Sequence, residues 1–167
     1  MKKTNQKGFS LIEMMVVITI FAVIGIIVTS SVILTIAGAK KSESIIKARE
    51  NLDYALNVIE RNIRNANSIV GCSGDSSYAI KYLDQNNTSA SFSCIGMGGV
   101  DSYIASGSSN LRLTSTTVKI VGCNFSCVTS TSSPPLVTID LSVQNAGSSG
   151  IQSSNISAST QIYLRNY

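Results

Sequence analysis

The spacing of hydrophobic and polar positions changes character twice along the chain. Residues 14–39 read MMVVITIFAVIGIIVTSSVILTIAGA, 26 residues without a charged side chain. At a rise of ~1.5 Å per residue, such a helix crosses a ~30 Å bilayer core with a little to spare. Past Lys40 the apolar positions thin to a stripe. Ile45, Leu52, Leu56, Ile59, Ile63 and Ala66 follow one another in steps of 7, 4, 3, 4 and 3, which is one face of an amphipathic helix. The pairs Glu43–Lys47, Arg49–Asp53 and Glu60–Arg64 are each four residues apart, as expected on a solvated helix face. No proline interrupts residues 9–69, and Gly71 offers a stop. The pattern predicts a helix of about 60 residues, ~90 Å long.

Beyond residue 70 the period drops to that of strands. YAIKYL (78–83), SASFSCI (89–95), LRLTSTTVKIVGC (111–123), PLVTIDLSV (135–143) and STQIYLRN (159–166) alternate or are β-branched, and DQNN, GMGG, SGSSN and NAGSSG punctuate them. Ser and Thr make up 31 of residues 66–167, but the regular return of apolar alternation argues against a disordered stalk. Residues 144–158 read as a loose loop. The expected fold class is α+β. A long N-terminal helix, half transmembrane and half amphipathic, packs its second half on an antiparallel head of four to six strands. A coiled-coil dimer is the competing use of the stripe, but only about three heptads are present.

Composition narrows the chemistry. The chain has 167 residues and a formal charge of +4. That charge sits in residues 1–65, with nine Lys/Arg against five Asp/Glu. The remainder balances Lys81, Arg112, Lys119 and Arg165 against Asp75, Asp84, Asp101 and Asp140. A neutral head lacks the basic surface of a nucleic-acid binder, and clustering of those four cations would support only weak, salt-sensitive binding. Histidine and tryptophan are absent, and no Gly-x-Ser-x-Gly or phosphate loop occurs. Gly96-Met97-Gly98-Gly99 has no following helix or lysine and reads as a turn. No catalytic residue, cofactor or metal is expected.

Four cysteines, Cys72, Cys94, Cys123 and Cys127, all fall in the head. On the far side of a membrane an even number reads as two disulfides. Three connectivities are possible, and the expected one is Cys72–Cys94 with Cys123–Cys127. Separations of 22, 29 and 4 fit zinc knuckles poorly, and C-x-x-x-C is not the usual redox spacing.

The N-terminal flank carries the most specific signal. A leader, MKKTNQK, precedes Gly8-Phe9-Ser10-Leu11-Ile12-Glu13. Its lysines predict a cytoplasmic N-terminus. The apolar run is longer than a signal-peptide h-region and continues into charged helix, so it reads as a retained anchor. Glu13 at its lip is costly in lipid and by itself reads equally well as a carboxylate reaching the headgroups. Were the chain cut after Gly8, however, the new amine of Phe9 would lie one turn from Glu13. Pairing between the amine of one subunit and the carboxylate of the next would then favour a single axial register.

KGFSLIEMMVVITIFAVIGIIV resembles the prepilin N-terminal motif of type IV pilins and type II secretion pseudopilins. The resemblance implies cleavage between Gly8 and Phe9 by a prepilin peptidase that also N-methylates Phe9, and a role for Glu13 in assembly. It divides the chain into a leader (1–8), a transmembrane or filament-core helix (9–39), an amphipathic helix (40–69) and a head (70–167). It implies as partners the peptidase/N-methyltransferase, other pilin subunits, membrane lipid and an inner-membrane assembly platform. The location implied is the inner membrane, and afterwards an extracellular pilus or periplasmic pseudopilus.

A shorter resemblance, in NLDYALNVIERNIRNANSI and the closing Leu164-Arg165-Asn166, is similar to J-type pseudopilins and W-type minor pilins. Many major pilins place a proline in the apolar helix, and this chain has none. The expectation is therefore a low-copy structural subunit, not an enzyme. Glu13 sets it apart from the tip-most pseudopilin type, which usually lacks that residue. A pseudopilin of a secretion or DNA-uptake system is the first alternative, and a DNA-binding pilin is the alternative from another class.

Overall fold

The structure is a computed structural model and describes residues 8, 10–72, 78–107, 109–128, 134–147 and 154–165. Lys2, Lys3, Lys7, Phe9 and Asn166 lie outside the described residues, as do 148–153 of the stretch read as a loop. The chain divides after Lys40 into two compact units, although one helix, α1 (Leu11–Arg64), runs through the division.

In the unit from Lys41 onward, α1 buries Ala48, Leu52, Ala55, Leu56, Ile59 and Ile63. This is the predicted stripe with two alanines added and with Ile45 only half-buried. Glu43–Lys47 (2.6 Å) and Glu60–Arg64 form ion pairs on its exposed side. The helix ends at Arg64, five residues before the pattern predicts. The Ala66 N–H bonds the Ile63 carbonyl (3.1 Å), and the Asn67 N–H bonds the Leu83 carbonyl (2.9 Å). A strand partner thus captures the backbone before Gly71 is reached. Ser68–Cys72 becomes β1, because Ile69 and Val70 are β-branched and suit a pleated ladder.

Among the described residues the head contains eight strands, all paired antiparallel. β1, β2 (Ala79–Leu83), β3 (Ser89–Ile95), β4 (Tyr103–Ser106) and β5 (Leu111–Arg112) form a five-stranded sheet in sequence order. β6 (Val118–Val128), β7 (Leu136–Asn145) and β8 (Asn155–Tyr163) form a three-stranded sheet. The architecture is thus α+β, as expected, with the strands shared between two sheets. The single strand predicted over 111–123 is two, one in each sheet. Between them the Thr114 hydroxyl accepts from the Ile104 N–H (3.2 Å), and the Ser115 N–H donates to Asn51 Oδ1 (2.9 Å). Side-chain oxygens thus replace the ladder and turn the chain.

β7 buries Val137, Ile139, Leu141 and Val143 in strict alternation. β6 changes parity, burying Val118 and Ile120 and then Cys123 and Phe125. The cause is a bulge between Ile120 and Gly122 that inserts one residue against β7. One apolar cluster joins these residues to the helix stripe and to Ile80, Tyr82, Phe92 and Ile104 of the other sheet. Tyr82 stacks on Phe92 at 5.6 Å. Burial pushes the Tyr82 phenol above its ordinary value, with Asp84 adding to the effect. The buried Ser102 bridges the sheets, because its hydroxyl accepts from the Ile120 N–H (2.7 Å) and donates to the Gly99 carbonyl (2.9 Å).

The disulfide pairing differs from expectation. Cys94 on β3 bonds Cys123 on β6, with a Cα–Cα distance of 6.5 Å, so neither Cys72–Cys94 nor Cys123–Cys127 forms. Cys123 and Cys127 lie on the same strand. Four residues of extended chain separate their Cα atoms by ~13 Å, about twice the reach of a disulfide. Cys127 is also disulfide-bonded. The Cys94–Cys123 bridge therefore joins the two sheets across a separation of 29 residues. Peptide mapping of the unreduced protein should yield a linked pair containing Cys94 and Cys123. Replacing both by serine should lower unfolding stability by about 3–4 kcal/mol in denaturant titration of the detergent-solubilised chain.

Candidate functional site: the N-terminal segment and its bare helix

Ser10 precedes α1 and serves as its cap through the backbone. Its carbonyl accepts from the N–H groups of Glu13 (3.0 Å) and Met14 (3.3 Å). Glu13 falls in the first turn, where unpaired N–H groups give the helix a positive end and a carboxylate is favoured. Glu13 is exposed. Gly8 has nothing within 4 Å of the position a Cβ would take. Among the described residues, packing therefore does not require a glycine there.

Every described residue from Leu11 to Glu43 is exposed. Leu11 (77%), Phe21 (71%) and Leu34 (73%) are nearly as open as in an isolated helix. Soluble domains leave few such stretches uncovered, and this one is long and apolar enough to cross a membrane. Its hydroxyls do not oppose burial. Thr19 donates to the Val16 carbonyl (2.8 Å), Thr29 to Gly25 (2.8 Å), Ser30 to Ile26 (2.9 Å) and Thr35 to Ser31 (2.9 Å). These four hydroxyls are satisfied within the helix, so they enter lipid or an apolar interface without being orphaned donors.

The structure brings Gly8 and Glu13 together at one end of α1 and distributes the other candidate residues through the head. Lys81 lies on β2, Arg112 on β5 and Lys119 on β6, and Arg165 follows β8. The Arg112 guanidinium stacks 4.8 Å from the Tyr103 ring centre and donates to the Thr114 carbonyl (2.8 Å). It is thus engaged in holding β4 to β5. Among the described residues no three His, Cys, Asp or Glu side chains stand close enough to hold a metal ion. Sequence reasoning did not single out Ser102 and Thr114, which tie the head together. In a chain this rich in Ser and Thr, nothing local distinguishes two buried hydroxyls from their exposed neighbours.

Residues 3–29 match the family model of the prokaryotic N-terminal methylation motif. The match takes in Gly8, Glu13 and about half of the bare helix, and it supports a type IV pilin-like prepilin. The family the motif defines is structural, and the motif together with the apolar helix supports membrane anchoring. No curated protein and no solved structure matches the chain.

Burial of the bare helix has a direct test. Ile26→Arg places a charge near its centre and should raise the free energy of membrane insertion by about 3–4 kcal/mol. The inserted fraction in a translocon assay measures the change.

Proposed function

We propose that the protein is a low-copy structural subunit, a minor pilin, of a type IV pilus or related filament. The observation that carries this reading is the methylation motif set directly on an apolar helix that no described residue covers. In this account the inner membrane first covers the helix, with the N-terminus cytoplasmic. Prepilin peptidase cuts after Gly8 and methylates the Phe9 amine. The assembly platform then draws the subunit into a filament, where the helices of other pilins replace lipid around residues 9–39. Glu13 pairs with the Phe9 amine of a neighbour, and the docking register follows because each charge is costly without the other. The head beyond residue 70 stays outside, held by its disulfides, and meets partner subunits or surfaces.

The apolar helix contains no proline, which favours a minor subunit over an abundant one. The same feature fits a pseudopilin of a type II secretion or DNA-uptake system, which would move cargo in place of building long pili. Mass spectrometry on sheared filaments separates these readings. N-methylated Phe9 peptide at trace level beside another pilin supports a minor pilin, and dominance of that peptide makes the chain the major subunit. Its confinement to the membrane fraction supports the pseudopilin.

Two variants test the mechanism. Gly8→Trp should block cleavage and leave the full precursor mass in membranes, and a mature mass would overturn the processing step. Glu13→Ala should be processed normally yet lose ~3–5 kcal/mol at each subunit junction. Its content in filaments should then fall at least tenfold by quantitative immunoblot, and normal incorporation would overturn the pairing.

A further inference from the structure

Among the described residues the two sheets have four edge strands, and three carry the devices that discourage strand pairing. β1 is short and bulged between Ile69 and Gly71, and β5 has only two residues. β6 is bulged, carries Lys119, and is tied to the other sheet through Ser102. Shortness, bulges and lysine are the usual protections of an exposed edge.

β8 has none of them. It reads NISASTQIY, nine residues without charge or proline, and pairs with β7 from Asn155 to Tyr163 without a register shift. In an antiparallel ladder every second residue directs its N–H and C=O away from its partner. Among the described residues, no backbone bond other than those to β7 reaches Asn155–Tyr163. Asn155, Ser157, Ser159, Gln161 and Tyr163 are exposed on one face. Ile156 and Ala158, on the other, are half-buried at the margin of the core. A further strand beside β8 would complete that ladder and extend the apolar inner face over Ile156 and Ala158.

The C-terminal end of this edge is electrically distinct. Arg64, Gln161, Tyr163 and Arg165 line a cavity of about 390 Å³. The Arg165 N–H donates to the Arg64 carbonyl (3.1 Å), which fixes the backbone of Arg165 beside the end of α1. Glu60 pairs with Arg64. The Arg165 guanidinium has no hydrogen-bond or ion-pair partner among the described residues. Two guanidiniums and one carboxylate leave a net positive charge, and a second carboxylate is its complement, because guanidinium binds carboxylate in a two-pronged geometry.

We propose that the β8 edge is a docking site for an extended, otherwise uncharged peptide strand of a partner protein. The strand runs antiparallel to β8, and an acidic side chain at its N-terminal end seats in the Arg64–Arg165 cavity. Backbone bonds supply the binding and the carboxylate sets the register, as in other strand-addition sites. The site stands on the strand edge and does not depend on the filament reading.

The test uses the full chain in detergent micelles and a fluorescent nonapeptide, C-terminally amidated, that begins with aspartate and continues with alternating threonine and valine. Saturable binding is expected by fluorescence anisotropy. Replacing the aspartate of the peptide by asparagine should weaken it at least tenfold. Arg165→Glu should do the same while leaving the unfolding transition of the protein in place. N-methylating the peptide amides at alternate positions should abolish binding for one set and preserve it for the other. No saturable binding, or equal binding of the two N-methylated sets, would overturn strand addition. Equal binding of the aspartate and asparagine peptides would overturn the role of the cavity.

Discussion

A helix that is apolar on every side has no stable place in water, and the rest of this protein's design follows from that constraint. Fourteen Val, Ile, Leu and Phe residues lie between Met14 and Ala39. Each contributes on the order of 0.3–0.6 kcal/mol to membrane insertion at the helix centre. The sum, about 4–8 kcal/mol, is larger than the cost of carrying the hydroxyls of Thr19, Thr29, Ser30 and Thr35, which bond within the helix. A continuous helix satisfies its own backbone, so lipid and a bundle of like helices are equivalent solvents for it. A subunit moved from one to the other would exchange one apolar cover for another. Polar groups at its N-terminal lip are then the features able to fix where it stops.

The head answers a different problem. About a hundred residues rich in Ser and Thr must build a core without the bulk that tryptophan supplies. The unit from Lys41 to Tyr167 does so by lending the same helix a second use. Leu52, Leu56, Ile59 and Ile63 supply an apolar rib against which β7 places Val137, Ile139, Leu141 and Val143. The two sheets are joined by a covalent bridge, Cys94–Cys123, and by the Ser102 hydroxyl bonded to Ile120. Since neither link lies on the helix, the sheets hold to each other through bonds of their own as well as through the core.

The parts legible in the sequence were those with a long, single period. The apolar run, the stripe after Lys40 and the alternation of β7 each repeat often enough to identify an element, and β3 was bounded to the residue. The misreadings share one physical cause, that tertiary partners overrode local pattern. Ala66 continues the spacing of the helical stripe, yet the Leu83 carbonyl claims Asn67 and starts a strand. The run 111–123 is rich in β-branched residues, yet Asn51 and the Thr114 hydroxyl break it between two sheets. The bridge Cys94–Cys123 joins strands whose adjacency depends on sheet order, which no spacing of cysteines encodes. At the N-terminus the case is reversed. No described residue packs against Gly8, and the first turn favours a carboxylate at Glu13 without requiring one, so the motif around them carries the reading.

The central claim is that residues 14–39 are covered by an apolar surrounding that the chain does not itself provide. Single cysteines introduced by Ile26→Cys and by Lys41→Cys, each with the native disulfides intact, can be challenged in cell membranes with a charged maleimide. The account predicts fast labelling at position 41 and none at 26 until the membrane is dissolved. Equal labelling of the two in intact membranes would contradict it.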